Sequence, residues 1–372
     1  MLRHPVLRLL GGVGAAAVAW LAIVTASAAL QDRLSSPPPM VIAQQGSFLV
    51  GGTVVTNPGT FDPRDANPTP AGQTVRGDHA YVQYQIPVNP RPLPLVMWHG
   101  GGQFSKTWET TPDGREGFQN IFLRRTFSTY ILDQPRSGRA SRTAHLAARQ
   151  PPPGPFGEES IFSRFRLGMW PDFFPAVQFS RDPAALDQWW RQQVPNTADL
   201  DQKVFVDATV ALFEKIGPAV LLTHSASGLM GWVTATRTDH VKGIVSYEPV
   251  GFLFPEGEVP AAVPSSGGDT VGTPVPPASF QKLTRFPIQI VYGDNIPAEP
   301  SSIPALDGWR GRLEMARRFV AAVNAHGGDA ELLHLPAIGV HGNTHFPFSD
   351  LNNVRIADLL SEYLHKKKLD AR

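Results

Sequence analysis

The strongest chemical signal in the chain is the stretch Ala219-Val220-Leu221-Leu222-Thr223-His224-Ser225-Ala226-Ser227-Gly228. An apolar run passes into a helix-forming run, and Ser225 stands at the junction. The pattern approaches G-x-S-x-G, in which a sharp strand-to-helix turn lifts a serine hydroxyl clear of a sheet. Here the flanking positions are Thr223 and Ser227, small residues but not glycine. The N-terminus of the following helix favours negative charge as it develops. The plainer alternative is a serine capping a helix, and Ser227 is a candidate for that. The strand–serine–helix context favours Ser225 as a nucleophile.

A serine nucleophile needs donors for the oxyanion that its attack creates. Leu95-Val96-Met97-Trp98-His99-Gly100-Gly101-Gly102 ends an apolar run in an HGGG sequence. Glycines let backbone N–H groups approach a ligand closely. The N–H groups of Gly101, Gly102 and Ala226 are the expected oxyanion hole, in which losing one donor typically costs about a hundredfold in rate. The alternative is a glycine-rich turn without a ligand. His99 fits a structural role in holding this loop.

The general base belongs after the last strand, because α/β-hydrolases run serine, acid, histidine in chain order. His334, His341 and His345 lie there. His334 alternates within an apolar run. His345, just before the final helical region, is the expected base, with His341 in reserve. The i,i+4 spacing of His341 and His345 suits a metal pair only on a helix; Gly342 and Asn343 argue against one, and no third ligand is evident, so no metal is expected. Two carboxylates compete as the acid: Glu248 at the carboxyl end of the run Gly243–Tyr247, and Asp294 just after Gly293. Spacing favours Glu248 but leaves Asp294 open. Either would orient the imidazole and stabilise its cation without taking the proton.

These groups must be positioned by strands and helices. Apolar or alternating segments at Ser47–Val55, His79–Val88, Leu93–Trp98, Ser128–Asp133, Ala219–Thr223, Gly243–Tyr247, Ile288–Tyr292 and Ala330–Leu335 read as strands; the last six are compact runs of the kind buried parallel strands show. Helical patterns at Gly117–Arg125, Asp199–Ile216, Gly228–Thr238, Trp309–His326 and Leu351–Lys367 fall between and after them. Thr197 and Asp199 are start signals for the second helix. The alternation predicts an α/β fold of the α/β-hydrolase type, a mostly parallel sheet of about eight strands flanked by helices. Residues 57–78, 139–196 and 251–286 break the alternation and read as loops, the last two lid-like. The 139–196 insertion holds Phe162, Phe165, Trp170, Phe173, Phe174, Phe179, Trp189 and Trp190. Trp170, Phe173 and Phe174 are candidate substrate-binding residues; the alternative is a satellite core.

Composition narrows the function classes. Lys+Arg 33 against Asp+Glu 32 leaves a net charge of +1, and no basic stripe appears, which disfavours a nucleic-acid partner. Cysteine is absent, which excludes disulfides, thiolate metal sites and cysteine nucleophiles. Gly (34) and Pro (36) are abundant, which predicts long loops. Arg3 and Arg8 precede an uncharged run that ends in Ala26-Ser27-Ala28. Residues 1–28 therefore read as a signal peptide cleaved before Ala29, with 29–372 as one domain, exported to the periplasm or secreted and not membrane-bound after cleavage. An uncleaved anchor is the alternative.

Several stretches together resemble a known family. They are Gly77-Asp78-His79-Ala80-Tyr81-Val82, Leu93–Gly102, Lys106–Phe118, Asp133-Gln134-Pro135-Arg136, and Gly342-Asn343-Thr344-His345 with Asn352-Asn353. They look like a family of exported bacterial esterases that includes the esterase acting on sulfonylurea herbicides. The resemblance covers most of the mature chain. It implies a Ser–Glu–His triad, here Ser225, Glu248 and His345, together with a homodimer, loops over the substrate entrance and no cofactor. The departure is Gly101, where some members carry a larger residue; a glycine there would widen the acyl side. The expected activity is hydrolysis of small or aromatic carboxylic esters through an acyl-enzyme. Acyl transfer or amide hydrolysis on the same fold, or a non-catalytic binding module, are the rival readings. A haloalkane dehalogenase would carry Asp at position 225.

Overall fold

The computed structural model describes residues 38–67, 69–144, 157–199 and 201–371. The expected signal at 1–28 and part of the 139–196 insertion lie outside the described residues.

Eight strands form the main sheet: β1 (Ile42–Thr56), β2 (Thr74–Pro87), β3 (Leu95–Trp98), β4 (Thr129–Asp133), β5 (Ala219–His224), β6 (Val241–Tyr247), β7 (Pro287–Tyr292) and β8 (Asp329–His334). Their order is β1-β2-β4-β3-β5-β6-β7-β8. β2 runs antiparallel to both β1 and β4. The remaining neighbours are parallel. Period-2 alternation explains the continuous apolar runs of the central strands, because both faces are covered. In β3, Val96 and Trp98 enter one core with Ala219 and Leu221 of β5. Leu95 and Met97 enter the opposite core with Val220 and Leu222.

The helices covering these faces are α1 (Phe118–Arg124), α2 (Glu158–Arg164), α3 (Pro183–Arg191), α4 (Gln202–Ile216), α5 (Ser227–Ala235), α6 (Pro304–Ala325) and α7 (Asn353–Lys366). Phe205 and Leu212 of α4, Trp232 of α5 and Phe319 of α6 fill the first core. Phe118 and Phe122 of α1 with Ile356 and Leu360 of α7 fill the second. The cap of α4 is Asp201, whose carboxylate accepts the N–H groups of Lys203 (3.0 Å) and Val204 (3.3 Å). It lies later than the expected Thr197 and Asp199; the Thr197 N–H is used on Arg136 O. Helix α6 starts at Pro304 rather than Trp309, with proline in the first turn, where its missing N–H costs nothing.

The two long insertions carry secondary structure of their own. Within 139–196, α2 and α3 flank a short antiparallel ladder of Gly168–Met169 with Asp172–Phe173. Phe162 and Trp189 sink into the second core and pin this segment to the sheet. Within 251–286, Leu253–Pro255 pairs in parallel with Thr273–Val275. Such short elements, broken by proline and aromatic clusters, leave no extended periodicity in the sequence.

Candidate active site

Ser225 leaves β5 with φ +55°, in the left-handed region that a non-glycine residue rarely adopts. Its N–H donates to Tyr247 O at the end of β6 (2.9 Å), and its carbonyl accepts from Gly228 N (3.0 Å). The neighbours replace the glycines of the usual pattern with a hydrogen-bonded arrangement. Thr223 donates its hydroxyl to Ser246 Oγ (2.7 Å). The Ser227 hydroxyl accepts the His224 N–H (2.9 Å) and lies 3.1 Å from Trp98 O, stitching the elbow to β3. Ser227 opens α5 and makes no capping bond there. The close approach falls instead on two later glycines. A Cβ on Gly228 would lie 2.5 Å from Pro249 Cβ, and one on Gly231 would lie 2.7 Å from Thr223 Cγ2.

The HGGG loop packs directly against this turn. A Cβ on Gly100 would sit 2.8 Å from His224 Nδ1 and 3.0 Å from Ser225 Cβ, while one on Gly101 would meet Ala226 Cβ at an ordinary 3.5 Å. Gly102 has φ +69° with open space beside it, and its carbonyl accepts the N–H of Val194 from the insertion (2.9 Å). Among the described residues, the N–H groups of Gly101, Gly102 and Ala226 have no acceptor. His99 is fully buried. Its Nε2 accepts the Gln134 N–H (3.2 Å), so Nδ1 carries the proton and donates to Gly100 O (2.7 Å). Gln134 in turn accepts from Trp98 Nε1 (2.9 Å), and the buried pair Asp78–Arg136 (2.9 Å) anchors the same loop cluster.

His345 and Glu248 meet beside His224, the residue before Ser225. His345 Nδ1 lies 2.7 Å from Glu248 Oε2, and both side chains are buried. The other carboxylate oxygen accepts the Gly293 N–H (2.7 Å) and a hydrogen bond from Arg166 Nη2. An imidazole whose Nδ1 donates to a carboxylate presents Nε2 as the acceptor. That Nε2 is buried and without a partner among the described residues. The His224 ring packs 4.5 Å from the His345 ring and bonds to the His345 carbonyl (2.9 Å). Burial holds the His345 imidazole well below its ordinary proton affinity, helped by the Arg166 and Arg312 cations. His224 is lowered likewise, first by burial and then by His345.

The rival acid belongs to a separate pair. Asp294 Oδ2 accepts the Gly342 N–H (2.8 Å) and stands 3.3 Å from Nδ1 of the exposed His341. His334 ends β8, half-buried. No group of three or more His, Asp or Glu among the described residues is arranged to hold a metal ion.

The rings packed on the imidazole are distinct from the candidate substrate-binding aromatics. Trp170 is 45% exposed and touches Phe162, as does Phe173; Phe174 is half-buried against the second core. The rings packed on His345 are Phe165 (4.7 Å, stacked), Trp309 (4.3 Å) and Phe346 (5.2 Å). Trp309 arrives on α6 and Phe165 at the end of α2. Neither Trp309 nor Arg166 stands in a recognisable motif; the one sequence hint is an arginine set between Phe162, Phe165 and Leu167.

The loop bearing His345 is held by a carboxylate. Asp350 accepts the Thr344 N–H and hydroxyl (2.7 Å each) and the Asn343 amide (3.0 Å). Burial pushes its carboxyl up to about 7, although these hydrogen bonds oppose the shift. Arg115 donates to Asp350 O (3.1 Å), Leu351 O (3.1 Å) and Asn353 Oδ1 (2.7 Å). Several stretches that carry the family resemblance therefore brace the HGGG loop and the histidine loop.

Comparison with known proteins bears on the fold and the class of reaction. The chain is 32% identical to a bacterial esterase of known structure, with a TM-score of 0.72; the match covers 89% of this chain and 98% of that one. It is 29% identical over 324 residues to a fungal protein (Fungal sp., strain ATCC 74256) named probable secreted lipase phiG, across 77% of this chain and 86% of the relative. No family model matches the chain. With a bacterial esterase matched over nearly its whole length and the α/β-hydrolase strand order in place, the chain belongs to the α/β-hydrolase esterases and is a carboxylic ester hydrolase.

Proposed function

We propose that this esterase works through Ser225, His345 and Glu248, on small or aromatic carboxylic esters. The observation that carries the reading is the buried contact of 2.7 Å between Glu248 Oε2 and His345 Nδ1, with Nε2 unpartnered and the imidazole 4.5 Å from the ring of His224, the residue before Ser225. The Ser225 hydroxyl attacks the ester carbonyl as its proton passes to His345 Nε2. The N–H groups of Gly101, Gly102 and Ala226 stabilise the oxyanion. His345 then protonates the departing alcohol, leaving an acyl group on Ser225. Water, deprotonated by His345, attacks that acyl group, and the carboxylic acid leaves as Ser225 recovers its proton. Glu248 orients the imidazole and stabilises its cation.

Phe165, Trp309 and Phe346 give the site an apolar wall, which supports a preference for aromatic or compact apolar groups. Trp170, Phe173 and Phe174 are proposed as the outer rim of the same entrance. Residues 1–28 are proposed as an export signal, a reading supported by the relative named as a secreted lipase. Among the described residues no helix is long and apolar enough to cross a membrane.

The test is hydrolysis of p-nitrophenyl acetate and butyrate by the parent, Ser225→Ala and His345→Ala. The variants are expected to lose about 10⁴-fold or more in kcat. Parent-like turnover by Ser225→Ala would remove the assignment. A panel of alkyl, phenyl and sulfonylurea carboxylic esters then ranks the acyl and alcohol groups.

A further inference from the structure

Helix α2 closes on a left-handed non-glycine residue, as α1 does at Thr126 and α7 at Lys368. Arg166 N–H bonds to Ser163 O (3.1 Å) and Leu167 N–H to Phe162 O (3.1 Å). This is the paired closure in which the residue just past the helix turns left-handed, a position that glycine commonly fills. Here that residue is Arg166, at φ +62°. A non-glycine residue held in this conformation carries some backbone strain.

What distinguishes Arg166 is its side chain. It is completely buried. Nη2 donates to Glu248 Oε1, and Nε donates to Asp294 O (2.8 Å). The guanidinium lies over the Trp309 ring, 4.8 Å from its centroid. The neighbouring residues address the same place. Arg164 O accepts Trp309 Nε1–H (2.6 Å), Phe165 O accepts the His345 N–H (3.0 Å), and the Phe165 ring stacks on the imidazole. Three consecutive residues of the insertion thus clamp the histidine, the carboxylate and Trp309.

We propose that Arg166 is a positioning residue for ester hydrolysis, fixing Glu248 so that Oε2 faces His345. This rests on the triad reading above. The insertion then belongs to the catalytic apparatus as well as to the entrance. Other charged or titratable groups also face the pair. They are Arg312 of α6, His224 of β5, Tyr292 of β7, Asp294 after β7, His334 of β8, and Asp350 beside the histidine loop. Among the described residues, Arg166 is the one cation hydrogen-bonded to Glu248.

The test is the pH profile of kcat/KM for p-nitrophenyl acetate in the parent, Arg166→Gly, Arg166→Met, Arg166→Lys, Glu248→Gln and the Arg166→Met/Glu248→Gln double variant. Glycine suits the backbone at 166, so Arg166→Gly removes the side chain while relieving the turn. Loss of the cation lets His345 hold its proton more tightly. The acid limb is expected to move up by about one pH unit or more in Arg166→Gly and Arg166→Met, with kcat down about 10- to 100-fold and KM little changed. Arg166→Lys should return the limb to the parent position but recover kcat only in part, because the two-point grip is lost. In the Glu248→Gln background, Arg166→Met should have little further effect. A parent-like limb and kcat in folded Arg166→Gly or Arg166→Met overturns the proposal. If neither folds, parent kcat in Arg166→Lys overturns it, and reduced kcat with an unmoved limb supports it. Full activity of Glu248→Gln would instead bring down the triad reading, a distinguishable result.

Discussion

Thr223 and Gly231 occupy the two sides of one contact: a Cβ on Gly231 would lie 2.7 Å from Thr223 Cγ2. The usual elbow keeps glycine on both sides of its serine. This chain spends that space on the Thr223 methyl and recovers it one helical turn later. Thr223 also anchors its hydroxyl on Ser246. Gly231→Ala is therefore expected to destabilise the protein by about 1–3 kcal/mol through overpacking. Thr223→Ser keeps the hydroxyl and removes the methyl. In the double variant most of the loss should return, measured as a coupling in denaturant unfolding. Simple additivity of the two changes would contradict this account of the elbow.

Two adjacent glycines of the HGGG loop should respond very differently to alanine. At Gly100 the new Cβ meets His224 Nδ1 and Ser225 Cβ, so the nucleophile turn must move. At Gly101 it meets only Ala226 Cβ at van der Waals distance. Gly100→Ala is expected to lower kcat/KM for p-nitrophenyl acetate by about a hundredfold or more, since small displacements of reacting groups cost that much. Gly101→Ala should stay within about tenfold. Equal effects at both positions would mean that the loop does not set the elbow geometry.

Asp350 makes stability fall as pH rises. Its carboxyl is pushed from the ordinary carboxylate range up to about 7 by burial, so the folded chain holds a proton that the unfolded chain has released. The stabilisation is complete below the ordinary carboxyl pKa and is lost as pH climbs through about 7. Asp350→Asn keeps the shape and cannot ionise. The parent's melting temperature relative to this variant should decline between pH 4 and pH 8, and the variant should be the more stable of the two above about pH 7. A pH-independent difference would mean that Asp350 titrates normally.

The sequence makes the scaffold easy to read and the site only partly so. The central strands are buried on both faces, so each appears as a short apolar run with clean ends. Ser225 and the HGGG loop are local motifs. The acid is not local: Glu248 and Asp294 follow adjacent strands, and each ends up beside a histidine of the same five-residue loop. Spacing alone leaves those two pairs open; the family resemblance favours Glu248, and its contact with the buried His345 supports it. Arg166 is less legible still, because its role arises from the closure of a seven-residue helix inside an aromatic insertion. The aromatic wall follows the same rule. Trp170 is conspicuous in sequence but lies partly exposed against Phe162, whereas Trp309 reaches the imidazole from a helix that looks ordinary.

The central claim is that Ser225 carries the acyl group. The most direct measurement is to mix the enzyme with p-nitrophenyl acetate, quench it in acid during the first turnover, and locate the acetyl group by peptide mass spectrometry. The account predicts one acetyl group on the peptide containing Ser225, with none in Ser225→Ala. An acetyl group on another residue, or a burst of p-nitrophenol with Ser225 unmodified, would contradict it.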